Sequence, residues 1–386
     1  MKKAAWLFLI SSFLILVALQ FYLPEQVLKA QEESTGDNLN VKKEAGVLIA
    51  KTVTWLRSQM KEDTYWMDIQ GKSPGYTALA VSGMIRAGYK YGEDKQVTKA
   101  VDWLVTLQKD DGGIYVEDYP NYYTSVIVMA LADADGKKFE LQLKKAAAFL
   151  KGLQFSPEKG SKPEDEGGIG YGSDKTRSDL SNTQYALDAL IAAGVSKDDP
   201  VFKAAEKFIS RCQNNSETND QEWASDDGGF IYRPGDTQVP DGAWIDAIGV
   251  RRYKSYGSMT YAGLKSLIHC GATADDPRIQ QALKWISNNY TVEENPMMDQ
   301  QGVFYYFHTF AKTMSLLGMD TVEDDSGQLH NWRAEIVQKL KSMQSEDGSW
   351  VNSTEQRWME GNRVLATCYA LLTLDWVVQE NPKKKE

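Results

Sequence analysis

The sequence predicts an all-α protein, an α/α toroid of six helical hairpins with an inner and an outer ring of helices. An apolar helical pattern, a Gly-rich or aromatic turn and a second apolar helix recur six times along the chain. Such repeats stack side by side, because a single hairpin cannot bury its own apolar face. The first helix of each pair is amphipathic and the second is apolar all round, which indicates that the second set is enclosed.

Each repeat supplies one core residue in its first helix and one Thr that we expect to open its second helix. The core residues are Trp55, Trp103, Phe149, Phe208, Trp285 and Leu340. The Thr residues are Thr77, Thr124, Thr183, Thr260, Thr309 and Thr367. In the second repeat, Gly112 and Gly113 follow the first helix and permit the left-handed backbone that ends it. The first repeat is the weakest copy, which suits a terminal unit.

The chain divides into four parts. Residues 1–30 are predicted to form a signal peptide or signal anchor, 31–44 a linker, 45–376 the toroid and 377–386 a polar tail. Lys2 and Lys3 precede an apolar run from Ala4 to Leu23, which is the pattern of an export signal. A run of this length also spans a bilayer uncleaved. We therefore expect an exported, extracytoplasmic protein, and leave open whether it is secreted or anchored in the membrane by this segment.

The composition excludes some functions. The formal net charge is −10, which makes the chain a poor candidate for nucleic-acid binding, since that requires a basic surface. Its three cysteines, Cys212, Cys270 and Cys368, form no closely spaced pair, which argues against a disulfide framework. We expect them to be small buried apolar residues.

The turn from Gln344 to Trp350 reads Gln-Ser-Glu-Asp-Gly-Ser-Trp, and the turn from Gln108 to Tyr115 is a softer copy. The first of these resembles the Gln-Trp repeat of squalene and oxidosqualene cyclases. Together with the six helix pairs, it is similar to the squalene cyclase and protein prenyltransferase superfamily over nearly all of residues 45–376. The resemblance implies a central apolar cavity for an isoprenoid chain.

Class II terpene cyclases carry an Asp-x-Asp-Asp-Thr motif at the start of an inner helix, and its second Asp protonates the substrate. The matching stretch here runs from Asp179 to Thr183, with Ser181 at the proton-donating position and Asn182 beside it. A hydroxyl is too weak an acid to protonate an alkene. Protein prenyltransferases hold zinc, and His308 resembles one of their ligands, but Tyr256 and Ser258 stand where Asp and Cys would be. We therefore expect neither a metal nor another cofactor.

In a toroid, the N-terminal ends of the inner helices meet at one mouth of the cavity, where free N–H groups and helix dipoles point. A mixture of acidic, basic and aromatic residues around one hole is typical of a ligand pocket. The candidate catalytic residues are Asp179 and His308. The candidate ligand-binding residues are Tyr76, Tyr123, Asn182, Tyr256, Tyr306 and Arg363. Structural roles remain open for all of them, a helix cap for Asp179 among them.

Three functions remain open. The first is an isoprenoid enzyme resembling class II terpene cyclases, an intramolecular transferase or isomerase whose acid is not the usual one. The second is a non-catalytic toroid of the cell envelope that binds an apolar isoprenoid-type small molecule or an envelope protein. The third is a carbohydrate-active toroid, which needs two facing carboxylates in a groove. If the chain is an enzyme, Asp179 is the expected acid, because an apolar cavity would raise its pKa.

Overall fold

The computed structural model describes residues 25–173 and 176–379, and the export signal predicted at the N-terminus lies largely outside these ranges. Twelve α-helices in the described residues alternate between two kinds. Outer helices bury one face and are α1 (Glu25–Gln59), α3 (Lys95–Val105), α5 (Glu140–Leu153), α7 (Pro200–Arg211), α9 (Pro277–Asn288) and α11 (Trp332–Met343). Inner helices are buried over most of their length and are α2 (Pro74–Arg86), α4 (Pro120–Asp135), α6 (Leu180–Ala192), α8 (Gly257–His269), α10 (Val303–Leu317) and α12 (Arg363–Val378).

The inner helices contact one another in a closed cycle. Each packs against the next inner helix along the chain, and α12 packs back against α2. The outer helices sit against this cycle, and α11 also contacts α1. Since the first and last repeats meet, every inner helix has an inner neighbour on both sides, and this places the six inner N-termini around a common space.

The described ranges also contain three short antiparallel hairpins in the segments between helices. Strands β1 (Trp66–Asp68) and β2 (Gly71–Ser73) lie between α1 and α2, and Trp66 pairs with Ser73. Strands β3 (Ala243–Ile245) and β4 (Arg251–Tyr253) lie in the long segment before α8, and β5 (Val322–Glu323) and β6 (Leu329–His330) precede α11.

The structure corrects two expectations about element boundaries. Residues 31–44, expected as a linker, lie inside α1, since this stretch has no proline and continues the packed helix from its N-terminal side. The Thr residues do not open the inner helices but are between the fourth and the seventh residue of each. Thr77, for example, accepts a hydrogen bond from the backbone N–H of Trp66 and donates to the Ser73 carbonyl, so it fastens the preceding turn to the helix.

Glutamine side chains join neighbouring outer helices. The Gln154 amide nitrogen donates to the Gly167 carbonyl in its own turn and to the Val201 carbonyl in α7, each at 2.9 Å. Gln108, Gln213 and Gln344 bridge in the same way, and Gln344 reaches back to α1. These four glutamines therefore hold adjacent repeats together.

Among the described residues, no helix has both the length and the apolar character needed to cross a membrane.

Candidate functional site

A cavity of about 380 Å³ opens where the inner helices begin. All six inner helices contribute to its wall, as do the β1–β2 turn and the loops before α6, α8, α10 and α12. Its rim carries exposed apolar side chains, among them Ile69, which is 81% exposed. The volume is within the range of about 300–1,000 Å³ that small-molecule pockets occupy.

Tyrosine dominates this wall. Ten tyrosines line the cavity: Tyr76, Tyr119, Tyr122, Tyr123, Tyr171, Tyr185, Tyr232, Tyr256, Tyr305 and Tyr369. Several of their hydroxyls are linked, as in the 3.3 Å contact between the hydroxyls of Tyr185 and Tyr369. Burial raises the pKa of the Tyr123 phenol to about 12 and that of Tyr185 further, so these groups are neutral. The wall therefore presents aromatic faces together with neutral hydrogen-bonding groups.

Four of the six expected ligand-binding residues meet at this cavity. Tyr76, Tyr123, Asn182 and Tyr256 all belong to its lining, and each lies at or near the start of an inner helix. The placement agrees with the argument from converging helix ends, whereas a role in binding stays a prediction.

Tyr306 and Arg363 do not belong to the lining, which corrects the expectation that they meet the others. The Tyr306 hydroxyl donates to the Thr291 carbonyl at 2.7 Å, and its ring packs on Phe310, because one residue along a helix turns the side chain by about 100° away from Tyr305. Arg363 turns outward and donates to Asp347 at 2.6 Å. It fastens the turn that carries the Gln-Trp repeat.

Asp179 caps α6 and is buried just behind the cavity wall. Its Oδ1 accepts the backbone N–H of Asn182 at 2.7 Å and its Oδ2 accepts the Asn182 amide at 2.9 Å. The Tyr232 hydroxyl, part of the lining, bonds to it as well. Burial raises the pKa of Asp179 to about 6, although the hydrogen bonds from Asn182 and Tyr232 oppose this. Asp179 therefore reaches the cavity through Asn182 and Tyr232 rather than by facing it.

His308 is not among the lining residues either, and it lies one turn deeper than Tyr305 on α10. Its ring stacks on Tyr369 at a centroid distance of 5.8 Å, and its Nδ1 is buried with no hydrogen-bond partner among the residues that the structure describes. Burial, together with Lys312 and Lys265, holds its pKa well below the ordinary value. His308 is therefore a neutral imidazole.

Beneath the cavity lies a buried charge cluster made of Gln184, Asp188, Lys265, His269 and Lys312. Asp188 Oδ2 contacts the Nζ of Lys265 and, at 2.8 Å, the Nζ of Lys312, and Asp188 Oδ1 lies 2.9 Å from His269 Nε2. Burial would raise the pKa of Asp188, but the two lysines outweigh it and hold it well below the ordinary value. Burial lowers the pKa of Lys265 to about 7, against the attraction of Asp188.

The cluster is connected to the cavity through hydrogen bonds. Lys265 donates to the side-chain oxygen of Gln184, whose amide nitrogen donates to the Tyr305 hydroxyl at 3.2 Å. The Tyr305 hydroxyl lies 3.1 Å from that of Ser181, and both residues line the cavity. Ser181, at the position of the cyclase acid, thus ends a polar chain that begins at a buried lysine.

Sequence reasoning missed this series of hydrogen-bonded residues. Asp188, Lys265 and Lys312 are charged residues inside helices that are otherwise apolar, and such residues are costly to bury unless they are paired. That signal was available, but it does not say which residues pair, because the pairing depends on which inner helices are adjacent.

No family model matches the chain. Solved structures similar to it include two variants of the type II terpene cyclase MstE from Scytonema. One, in complex with its product merosterolic acid A, has 15% identity and a TM-score of 0.55, covering 88% of this chain and 99% of that one. The other, in complex with its substrate geranylgeranyl dihydroxybenzoate, has 12% identity and a TM-score of 0.54 over the same shares.

A protein from Actinoplanes is similar as well, with 15% identity and a TM-score of 0.53, covering 87% of this chain and 100% of that one. At such identities the likeness concerns the fold and not the chemistry. The chain thus shares its fold with the type II terpene cyclases.

Proposed function

We propose that this chain is a terpene-cyclase-like α/α toroid whose central cavity holds an isoprenoid-type small molecule. The observation that carries the proposal is the wall of ten tyrosines at the N-terminal ends of six inner helices. Aromatic faces provide a large apolar contact area for a branched hydrocarbon chain, and their hydroxyls and the neighbouring amides orient a polar end. The fold shared with MstE, whose solved substrate complex holds a geranylgeranyl compound, supports the same ligand class.

The geometry supports binding better than protonation of an alkene. Ser181 faces the cavity where the cyclase motif has its acid, and a hydroxyl cannot supply that proton. Asp179 is engaged by Asn182 and by Tyr232. A protein that retains an unaltered ligand accounts for both facts.

The test is mass spectrometry of the organic-solvent extract of the full-length protein, purified from an isoprenoid-producing host. We expect a co-purifying isoprenoid. Ser181→Trp places an indole in the cavity and should abolish it, whereas Lys284→Trp, on the exposed face of α9, should retain it. An empty extract from the folded wild-type protein would contradict the proposal and favour the alternative of an envelope protein as the partner.

A second candidate, isomerisation or cyclisation, rests on the state of Asp179. Its pKa of about 6 leaves part of the carboxyl protonated near neutrality, and its partner Tyr232 lines the cavity. Incubation with polyprenyl substrates and analysis of the products by gas chromatography tests this candidate. Turnover that persists unchanged in Asp179→Asn would exclude Asp179 as the acid.

Export remains a further proposal, supported by Lys2, Lys3 and the apolar run from Ala4 to Leu23. Fractionation of cells that express the tagged full chain tests it, with N-terminal sequencing of the recovered protein. A mature N-terminus after residue 30 would indicate cleavage and secretion, an intact chain in the membrane fraction would indicate anchoring, and protein confined to the cytoplasm would contradict export.

A further inference from the structure

Lys265 is linked to Ser181 by a series of hydrogen bonds, and the chemistry of the groups indicates which atom donates in each. A protonated lysine has three N–H donors and no acceptor, so the atom of Gln184 that faces it must be the carbonyl oxygen. The amide nitrogen of Gln184 then faces Tyr305 and donates to its hydroxyl oxygen. The orientation of this side-chain amide, which is otherwise ambiguous, is thereby determined.

The same logic continues to the cavity. The Tyr305 oxygen accepts from Gln184, and among the described residues its own proton has no acceptor other than Ser181, 3.1 Å away, so we assign Tyr305 as the donor of this contact. Ser181 then uses its oxygen as an acceptor and retains its proton. Among the described residues the structure gives the Ser181 hydroxyl no other partner, and Ser181 lines the cavity. A donor without an acceptor therefore faces the ligand.

We infer that Ser181 is a ligand-recognition residue whose hydroxyl donates to an acceptor oxygen of the bound molecule. The ligand is accordingly an isoprenoid-type compound that carries an ether, carbonyl or hydroxyl oxygen, and not a pure hydrocarbon. This inference rests on the proposed function and adds the ligand's polar group and the atom that recognises it. Lys265 and Gln184 act through Tyr305 and Ser181 and are positioning residues.

The buried charge cluster explains why the directions of these hydrogen bonds do not change. Lys265 is 1% exposed and is held by Asp188, so it does not swing out to solvent. Gln184 is likewise 1% exposed. If the Gln184 amide rotated, its NH2 group would face the Lys265 ammonium and a buried donor would lose its acceptor, which is unfavourable.

The test compares three probes of similar length: farnesene, farnesyl methyl ether and farnesol. The hydrocarbon has no oxygen, the ether oxygen only accepts, and the alcohol both donates and accepts. Dissociation constants are measured at pH 6, where Lys265 is protonated, by the quenching of protein fluorescence with the full-length protein. For the wild type we expect both oxygenated probes to bind about 2- to 10-fold more tightly than farnesene, the range of one net hydrogen bond.

Two substitutions separate this inference from a general preference for polar ligands. Ser181→Ala removes the donor, and both oxygenated probes should fall to the affinity of farnesene. Gln184→Glu reverses the direction of these hydrogen bonds, because a carboxylate only accepts. Tyr305 then donates to the carboxylate at position 184, and Ser181 donates to Tyr305. Ser181 then presents a lone pair, so farnesol should keep its advantage and the ether should lose it.

A matched control is Ser342→Ala, the same chemical change on outer helix α11, which should leave all three dissociation constants unchanged. Preference for the ether that survives in both Ser181→Ala and Gln184→Glu, with the proteins folded by circular dichroism, would overturn the inference while isoprenoid binding stands. Failure of all three probes to bind the wild type would instead overturn the proposed function itself.

Discussion

Trp66 and Trp350 make the same hydrogen bond in the first and the last repeat. Each donates its indole N–H at 2.8 Å to the backbone carbonyl ten residues earlier, that of Leu56 or of Leu340. Both rings are fully buried. The first repeat, which the sequence suggested was the weakest copy, therefore retains the tryptophan geometry of the Gln-Trp repeat.

Trp66→Phe and Trp350→Phe should consequently destabilise the protein by similar amounts, about 1–3 kcal/mol each, since both lose one hydrogen bond and leave a small cavity. Urea unfolding measures the change. Trp244→Phe, at a side chain that is 41% exposed, should alter the free energy of unfolding by less than about 0.5 kcal/mol. A loss at Trp66 far smaller than that at Trp350 would contradict the equivalence.

The glutamine bridges give a second prediction. Gln154→Ala removes two hydrogen bonds, one within its own turn and one to the adjacent repeat, and should cost about 1–3 kcal/mol of unfolding free energy. Gln59, which ends α1, has a side chain that donates, within the described part of the protein, only to its neighbour Ser58, and it is the matched control. Thermal unfolding of Gln59→Ala should resemble that of the wild type, and equal losses in the two variants would refute the bridging role.

Asp179 predicts a specific pH dependence of stability. Burial raises its pKa from 3.8 to about 6, so the folded state keeps the proton to a higher pH than the unfolded chain. Asp179 contributes on the order of 3 kcal/mol to the free energy of unfolding. This contribution is fully present below about pH 4 and is lost as the pH rises through about 6. The stability of the wild type relative to Asp179→Asn should therefore fall from pH 4 to pH 6, and a flat difference would contradict the pKa.

Asp220 supplies a control of opposite sign. Its hydrogen bond with Arg211 lowers its pKa to about 2, so its contribution is present above about pH 4 and is lost as the pH falls through 2. Comparing the wild type with Asp220→Asn should show a stability difference that shrinks on acidification.

The buried charge cluster should respond asymmetrically to the loss of its members. Asp188→Asn leaves Lys265 and Lys312 unneutralised and should cost about 3–5 kcal/mol. Lys265→Met leaves Asp188 paired with Lys312 and His269, and should change stability by less than about 1.5 kcal/mol in either direction. Urea unfolding of both variants checks this, and a larger loss from Lys265→Met than from Asp188→Asn would contradict the assignment.

Helical periodicity predicted the helix pairs and which helices are enclosed, because burial on one face or on all faces leaves a direct mark on the sequence. It did not predict how the Thr residues act. Thr77 accepts a hydrogen bond from Trp66, a contact between a turn and a helix that only the folded chain creates.

Part of the site was predicted because the starts of the inner helices could be inferred from the sequence pattern. Tyr76 and Tyr256 stand at helix starts, where the toroid argument applies, and both line the cavity. Tyr306 is the residue expected at the site from the sequence, whereas its neighbour Tyr305 is the one that lines the cavity. Adjacent tyrosines are indistinguishable until the rotation of the helix about its axis is known. That rotation is set by packing against other helices, as where Phe310 contacts Tyr261 of α8 and Trp332 of α11.

The order of the inner helices along the chain determines when the cavity comes into existence. Helix α12 is the last of the six, and it lies between α10 and α2 while contributing Leu365 and Tyr369 to the wall. During synthesis the tyrosines of the earlier repeats emerge first and face an open groove, and the wall is complete only after α12 has docked. Under the proposed function, the ligand therefore either enters through the rim of the finished cavity or is enclosed when α12 docks.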